Sequence, residues 1–427
     1  RFPDLDLLQL RTAHLDPRDA ALAHAIYDAV IRRWITLEFL LARHLSQPIG
    51  GLEPRLRAAL LVGAAQVLFL DRLPAHAVLN QAVQWAKQRI RPGAGNLVNA
   101  VLRRIVELRA AAGTDSRPTY TGDRDELPRS DGTAVVLAGP VLPEAEEDRL
   151  AIATSHPRAL IDAWSLALGP AAARRLALHS LARPPNILNT AHARGPLPDA
   201  LLTPHSIPGH HVFTGSHAEL VSLLASRPDV WVQDPASSLA VRSVSGREPA
   251  LVLDMCAGQG TKTRQLAATF PRARIVATDQ DPGRFETLQR VFATEPRVRV
   301  LPLPELREHI LEQADLILLD VPCSNTAVLA RRPEARYRFD TAHLDGLAEI
   351  QRQIIADSIP YLSVGPRRIG ILYSTCSLHP SENDAQAAWA ARWHRLTPRG
   401  PRLHLPQGGP GEPDHQYTDG SFSVLLA

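Results

Sequence analysis

The chain has 427 residues, of which 45% are hydrophobic and 21% are charged, enough for two or three domains with cores of their own. No apolar run approaches the roughly 20 residues that span a bilayer, and the opening RFPDLDLL is unlike a signal peptide, so we expect a cytoplasmic protein without a membrane segment. The 3 cysteines form no C-x-x-C pair and the 17 histidines no H-E-x-x-H pattern, which argues against a disulfide framework or a metal site.

Residues 1–110 are predicted to form an all-helical domain. Asp16-Pro17 is typical of a helix start, and apolar residues from Leu22 to Leu37 follow at helical spacing. Helical patterns recur in RLRAALLVGAAQVLFL, HAVLNQAVQWAKQRI and NLVNAVLRRIVEL. This region holds 15 Lys and Arg against 9 Asp and Glu, whereas the remainder holds 32 against 35. A basic excess suits a nucleic-acid partner, although many basic helical domains bind none.

The middle of the chain changes character twice. Residues 111–145 are predicted to be a flexible linker, because AAGTDSRPTYTGDRDELPRSDGT is rich in Gly, Pro, Ser, Thr and Asp. Residues 146–235 mix the helical pattern PRALIDAWSLAL with the strand patterns ILNTA, HHVFTG and VWVQD. We expect a small α/β subdomain there.

Residues 236–427 are predicted to form an α/β domain of the Rossmann-like kind. The apolar runs LVLDMC, RIVATD, LILLD and IGILYSTC alternate with helical patterns, which favours a parallel sheet with helices on both faces. Ligands of such sheets bind at the carboxyl ends of the strands. All four runs end in small or polar residues that could serve a site.

The stretch DMCAGQGTKT follows the first of these strands. Gly258 and Gly260 let the backbone approach a ligand, and the next helix presents free N–H groups, although an ordinary tight turn is the competing interpretation. The order of residues excludes a nucleotide P-loop, which needs G-x-x-x-x-G-K. Asp279, at the end of the next strand, could accept both hydroxyls of a ribose. Loop and acid together predict an adenosine-type cofactor.

Two of the three cysteines end strands of the same domain. LILLDVPCSN supplies Asp320 and Cys323, and ILYSTCS supplies Cys376. A lone free cysteine is most often an inert, buried side chain. Two at strand ends beside a cofactor loop favour chemistry instead, provided that their strands are neighbours.

These motifs resemble one family. D-x-C-A-x-x-G-x-K-T, D-x-P-C-S and T-C-S in this order are similar to the RNA cytosine carbon-5 methyltransferases, and RLPAHAVLNQAV, NLVNAVLRR, VQDPASSLA, RRPEARYR, HPSEN and TDGSFSVLL resemble the RsmB (Sun) ribosomal RNA methyltransferases with their NusB-like N-terminal domain. The resemblance covers nearly the whole chain. It implies a class I methyltransferase fold, S-adenosyl-L-methionine as cofactor, small-subunit (16S) ribosomal RNA as partner, and a monomer.

The resemblance also implies residue roles. Carbon 5 of cytosine is too electron-poor to take a methyl group until a thiolate adds at carbon 6, and Cys376 matches the family's nucleophile. Cys323 matches the residue that serves release of the product, and Asp320 the acid that hydrogen-bonds the cytosine edge beside the cofactor. The residues expected to bind the cofactor are Cys256, Ala257, Gly258, Gln259, Gly260, Thr261, Lys262, Asp279 and Asp320.

The chain departs from the family pattern at four places. The first is GQGT at residues 258–261 in place of the usual A-P-G-G, which keeps small residues where the backbone must approach the ligand. After Cys323 the expected S-G-x-G is SNTA, with Asn325 and Ala327 replacing glycines. The acid expected after the third strand is missing, and Glu305 is a candidate substitute. If Asn189 is the family's Asn, Ile187 stands where an Arg that contacts RNA is expected.

Two other classes of function compete with this interpretation. A DNA cytosine methyltransferase would use the Pro-Cys cysteine as nucleophile and carry a large target-recognition insert, and a related enzyme could act on transfer RNA. A non-catalytic RNA-binding or ribosome assembly factor would keep the fold without the activity. Labelled cofactor with RNA or DNA separates these classes.

Overall fold

The computed structural model describes residues 10–111 and 113–427. Residues 1–9 of the predicted helical domain and residue 112 of the predicted linker lie outside the described residues. Within the described ranges, none of the helices is both long and apolar enough to cross a membrane.

The first four helices confirm the predicted helical region. They are α1 (Pro17–Ala42), α2 (Pro54–Phe69), α3 (Ala75–Arg89) and α4 (Ala94–Glu107). α1 begins as expected, with Pro17 in its first turn and the Asp16 carboxylate accepting from the N–H groups of Arg18 and Asp19, two of the donors that a helix start leaves unpaired. Leu37, Leu60 and Leu102 are among the side chains that pack the core between these helices.

The prediction of a flexible linker over residues 111–145 is wrong for most of that segment. The segment forms a small antiparallel sheet of strands β1 (Ser116–Arg117), β2 (Glu126–Pro128) and β3 (Ala134–Val136), in the order β1-β3-β2. Leu127, Val135 and Leu137 are buried in the same core as the helices. The buried Glu126 pairs with Arg117 and accepts the N–H of Thr121. A few buried apolar side chains and one satisfied buried carboxylate thus outweigh the linker-like composition.

The chain divides into two compact units, and their boundary differs from the predicted domain boundaries. The first unit contains the described residues up to Arg183 together with Leu329–Phe339 and Gly409–Glu412, and the second contains Pro184–Val328, Asp340–Gly408 and Pro413–Ala427. The predicted subdomain 146–235 is therefore split between them. Its helices α5 (Glu146–Thr154), α6 (Arg158–Leu168) and α7 (Pro170–His179) belong to the first unit.

One physical reason for this boundary is a buried arginine in the segment Leu329–Phe339. Arg336 donates to the carbonyl oxygens of Thr154, Ser155 and Ser180. Tyr337 beside it donates to the carbonyl of Ile31. A buried guanidinium needs such acceptors, so this segment packs with α5 and α7 although it lies far from them in sequence.

The second unit begins with a four-stranded antiparallel sheet. Its strands are β4 (Asn186–Asn189), β5 (Leu202–Pro204), β6 (His210–Phe213) and β7 (Trp231–Val232), in the order β5-β6-β4-β7, with α8 (His217–Ser226) between β6 and β7. These strands are the ones predicted from ILNTA, HHVFTG and VWVQD, with β5 in addition.

The main sheet of the second unit has seven strands in the order β10-β9-β8-β11-β12-β14-β13, parallel except at β14. The strands are β8 (Leu251–Asp254), β9 (Arg274–Ala277), β10 (Val298–Val300), β11 (Leu316–Asp320), β12 (Gly370–Thr375), β13 (Pro398–His404) and β14 (Ser421–Leu426). The helices are α9 (Pro235–Arg242), α10 (Thr261–Thr269), α11 (Pro282–Phe292), α12 (Leu306–Ile310), α13 (Thr341–Ser358) and α14 (Asp384–His394). The predicted α/β domain is confirmed.

Both faces of this sheet are buried. Ile317 and Leu319 of β11 pack into one core and Leu316 and Leu318 into the other, as expected when side chains alternate along a strand that has helices on both faces. β11 pairs with β8 on one side and with β12 on the other. The carboxyl ends of these strands, with the loops that follow them, therefore lie side by side.

Candidate active site

The loop between β8 and α10 depends on two glycines. Gly258 and Gly260 have φ angles of 57° and 89°, which favour glycine. A Cβ atom at Gly260 would lie 2.6 Å from the Phe292 ring, whereas one at Gly258 would meet no atom of the described residues within 4 Å. Gly260 therefore closes the turn onto α11, and the backbone at Gly258 borders open space.

The remaining residues of this loop differ in exposure. Ala257 is buried and donates its N–H to the Thr278 carbonyl at 3.0 Å. Gln259 and Thr261 are exposed. Cys256 packs against the core of the unit, and burial raises the pKa of its thiol well above the usual value. Cys256 is half-buried, and a thiol whose pKa is raised in this way is a poor nucleophile.

Asp279 follows β9 and faces the same loop. Its two carboxylate oxygens accept the N–H of Gly258 at 2.8 Å and the N–H of Asp281 at 2.9 Å. The side chain is half-buried, and each oxygen keeps a lone pair for a further donor. The carboxylate thus orders the loop and can still accept hydroxyl groups.

Lys262 and Asp320 form an ion pair at the ends of α10 and β11. Lys262 Nζ lies 2.7 Å from Asp320 Oδ2, and the Ser374 hydroxyl donates to Asp320 Oδ1 at 2.8 Å. Burial alone would lower the pKa of Lys262, but the Asp320 carboxylate outweighs it and raises that pKa above its ordinary value. Lys262 therefore stays charged at neutral pH, and its ammonium holds the Asp320 carboxylate in place.

A second acid ends β8, the strand that pairs with β11. Asp254, the last residue of β8, is fully buried and accepts the Thr263 hydroxyl at 2.7 Å. Burial raises the pKa of Asp254 to about 7, against the lowering effect of the Thr263 hydrogen bond. Asp254 begins the D-x-C-A motif but is not among the site residues predicted from sequence.

The two strand-end cysteines lie together. Cys323 Sγ and Cys376 Sγ are 3.1 Å apart, because β11 and β12 are neighbours with Asp320 opposite Ser374. Cys376 is half-buried and Cys323 is buried. The hydrogen bond to Cys376 and burial both raise the pKa of Cys323 well above the usual value. The two thiols are therefore unequal, and Cys323 is protonated at neutral pH.

A buried carboxylate joins the two cysteine segments. Glu382 accepts the N–H of Ser324 at 2.8 Å and the hydroxyls of Ser324 and Ser377, and each of these serines directly follows one of the cysteines. Gln351 of α13 donates to the same carboxylate at 3.1 Å. Glu382 is fully buried. In the sequence it belongs to the motif HPSEN, in the loop that follows β12, and an acid in that family motif was the available signal.

The departures from the family pattern have different consequences. Asn325 has a φ angle of 60°, a conformation that glycine adopts freely and that asparagine tolerates. Ala327 is buried, and its N–H donates to the Cys376 carbonyl at 3.0 Å. Ile187 is buried in β4, and Glu305 is exposed. Both replacements after Cys323 thus fit the loop as it stands.

Comparisons with known proteins agree with this architecture. A model of the NusB family matches residues 3–107, and a model described as 16S rRNA methyltransferase RsmB/F matches residues 243–400. Ribosomal RNA small subunit methyltransferase B of Vibrio cholerae is 29% identical over 416 residues, covering 96% of this chain and 88% of that protein. Its counterpart in Xanthomonas campestris is also 29% identical, covering 96% and 89%.

A solved structure resembles nearly the whole chain. The crystal structure of PH0851 superposes with a TM-score of 0.70 at 19% identity, covering 97% of this chain and 95% of that one, which shows that the fold is shared. Both family matches fall where the helical region and the parallel sheet lie. Residues 243–400 thus match the family of 16S rRNA methyltransferases RsmB/F and residues 3–107 the NusB family, and the chain aligns over nearly its full length with ribosomal RNA small subunit methyltransferases B.

Proposed function

We propose that this protein methylates carbon 5 of a cytosine in small-subunit ribosomal RNA through a covalent bond between Cys376 and the base. The observation that carries the proposal is the pair of unequal thiols, 3.1 Å apart, beside the Lys262–Asp320 ion pair. The substrate is supported by the names of the relatives, which are small-subunit ribosomal RNA methyltransferases.

The loop after β8 fits S-adenosylmethionine. The backbone at Gly258 borders open space, and the half-buried Asp279 carboxylate has lone pairs for ribose hydroxyls. The ammonium of Lys262 suits the carboxylate of the cofactor's methionyl end. When bound, the cofactor supplies a methyl group that is activated by a sulfonium. Cys256, Ala257, Gln259, Gly260, Thr261 and Asp320 would line the same site.

The two cysteines differ in exposure, and we assign them different roles in the reaction. The raised pKa of Cys323 leaves it protonated, so the more accessible Cys376 is the sulfur that adds to carbon 6 of the extruded base. Asp320, fixed by Lys262 and Ser374, is placed to accept from the cytosine edge. In the release step carbon 5 loses its proton, the electron pair of that C–H bond re-forms the double bond between carbons 5 and 6, and the bond between Cys376 Sγ and carbon 6 breaks. Cys323, 3.1 Å from that sulfur, gives its proton to the departing Cys376 thiolate and takes the proton from carbon 5.

The N-terminal helical domain is proposed to provide RNA affinity rather than chemistry. Its described surface includes the exposed cations Lys87, Arg89, Arg103 and Arg104 on α3 and α4. Such side chains bind phosphates and release counterions. The candidate nucleophiles are all in the second unit.

Two cysteine variants test the chemistry. Cys376→Ala is expected to abolish methylation and to form no covalent RNA adduct, since nothing can add to carbon 6. Cys323→Ala is expected to permit attack and methyl transfer but to stall release, so that an adduct with the RNA accumulates on a denaturing gel. Cys256→Ala is the comparison variant, because it leaves both thiols of the pair in place; it should accumulate no adduct, and any loss of activity should appear in the affinity for the cofactor.

The same experiment identifies the alternatives. An adduct that accumulates with Cys376→Ala and not with Cys323→Ala would mean that the two roles are reversed, as in DNA cytosine methyltransferases. Transfer of labelled methyl groups to DNA or transfer RNA in preference to small-subunit ribosomal RNA would overturn the substrate. RNA binding without methylation would favour an assembly factor.

A further inference from the structure

The residue after Ser324 has a side chain where the family pattern has a glycine. Asn325 adopts a φ angle of 60°, so it preserves the backbone turn that a glycine would make. The family pattern S-G-x-G offers no side chain at this position. Any contact that the Asn325 amide makes is therefore a property of this chain rather than of the pattern.

The Asn325 amide lies between the two cysteines. Its Nδ2 is 2.9 Å from the carbonyl oxygen of Cys323, and its Oδ1 is 3.2 Å from the sulfur of Cys376. A carbonyl oxygen can only accept, so Nδ2 must face Cys323. Oδ1 is then directed at Cys376 and accepts its S–H. The Cys323 carbonyl thus fixes the orientation of the amide, and the Cys376 thiol donates to the amide oxygen.

We propose that Asn325 is a positioning residue that holds the Cys376 thiol in the resting enzyme. Its amide accepts the S–H of Cys376 and fixes the direction of the sulfur until the target base enters. A hydrogen bond to the neutral form of an acid opposes ionisation, and the thiolate is the form that attacks. The inference rests on the proposed function for its consequence in methylation, but the contact itself can be tested without RNA.

Two substitutions separate the amide from the backbone turn. Asn325→Gly keeps the left-handed conformation and removes the amide, whereas Asn325→Asp keeps an acceptor, loses the donor to Cys323 and adds a negative charge. Glu312→Gly is the matched control, since Glu312 is an exposed residue of the same unit with a φ angle of 58°. Glu312→Gly increases backbone freedom in the same way as Asn325→Gly, but at a position away from the two thiols.

The first readout is the rate at which iodoacetamide alkylates Cys376 across a pH series, mapped by peptide mass spectrometry without RNA or cofactor. Asn325→Gly should react about two- to fivefold faster near neutral pH, the range for loss of one weak hydrogen bond. Asn325→Asp should react roughly tenfold more slowly and recover at higher pH, because a carboxylate disfavours a neighbouring thiolate. Glu312→Gly should match wild type.

The second readout is single-turnover methyl transfer. Asn325→Gly should lose about tenfold in rate with an unchanged KM for RNA, since the sulfur is misdirected and the base-binding groups are intact. Alkylation profiles that superimpose for wild type and both Asn325 variants, or a shift of equal size in Glu312→Gly, would overturn the inference. If wild type methylates no RNA while alkylation responds as expected, the proposed function fails and the contact stands.

Discussion

Glu382→Gln tests whether one buried carboxylate holds the two cysteine segments in place. Glu382 receives four hydrogen bonds, from the Ser324 N–H, the hydroxyls of Ser324 and Ser377, and the Gln351 amide. A glutamine has one acceptor oxygen where the carboxylate has two, and it is neutral. Hydrogen bonds to a charged group contribute about 1.5–3 kcal/mol and neutral ones about 0.5–1.5 kcal/mol.

The hydroxyls can rotate to other acceptors, because the Ser324 and Ser377 oxygens lie 3.1 Å apart. The backbone N–H of Ser324 cannot rotate, so its loss is not compensated. We expect local opening of both segments to become easier by about 2–3 kcal/mol, which is roughly a 30- to 160-fold rise in the open population. Misplaced thiols should lower the methylation rate by about tenfold or more.

Hydrogen exchange measured by mass spectrometry over residues 321–328 and 376–379 reports this opening. The matched control is Glu219→Gln, where an exposed glutamate accepts the N–H and the hydroxyl of Ser216, both at 2.7 Å. Water can replace those bonds, so little change is expected. If exchange in the two segments rises no more in Glu382→Gln than in Glu219→Gln, the carboxylate is not what orders them.

Asp279→Ala should weaken S-adenosylmethionine binding by about 1–3 kcal/mol, since ribose hydroxyls would lose their acceptor; unchanged affinity by calorimetry would exclude Asp279 from the site. Asp254 has a folded pKa of about 7 against an ordinary 3.8, so the folded state holds the extra proton, and stability should fall as pH rises between these values, by on the order of 4 kcal/mol in total. Asp254→Asn should therefore raise the melting temperature at pH 8 and leave it nearly unchanged at pH 4; equal effects at both pH values would contradict the assignment. Arg89→Glu combined with Arg103→Glu should weaken RNA binding and reduce the slope of log affinity against log salt by about 2 or more, without changing cofactor affinity. A salt dependence that stays at the wild-type value would place the RNA elsewhere.

The order of helices and parallel strands could be predicted from local sequence. Each of β8, β9, β11 and β12 is a short apolar run that ends in small or polar residues, and such a run is buried on both faces whichever strand lies next to it. The glycine turn was also predictable, because Gly258 and Gly260 have conformations that other side chains seldom adopt. The family motifs then predicted Cys323, Cys376 and Asp320 as site residues.

Amino-acid composition is a poor guide to structure where a few contacts between residues distant in sequence decide how a segment packs. The segment 111–145 has the residue types of a linker, but Leu127 and Val135 complete the core of the first unit. Likewise, RRPEARYR is polar in sequence, and yet Arg336 is fully buried because three backbone carbonyls from α5 and from the end of α7 surround its guanidinium. Nothing within either segment indicates that these partners exist.

The sequence by itself determined which elements form and which residue types stand at strand ends, because those properties depend on near neighbours along the chain. Only the tertiary structure decided that β11 and β12 are adjacent, and hence that Cys323 and Cys376 come within 3.1 Å of each other. The same holds for Glu382, which meets Ser324 from 58 positions away, and for Asn325 between the thiols. Strand order is set by how all the apolar faces are buried together, and no local pattern of residues contains that information.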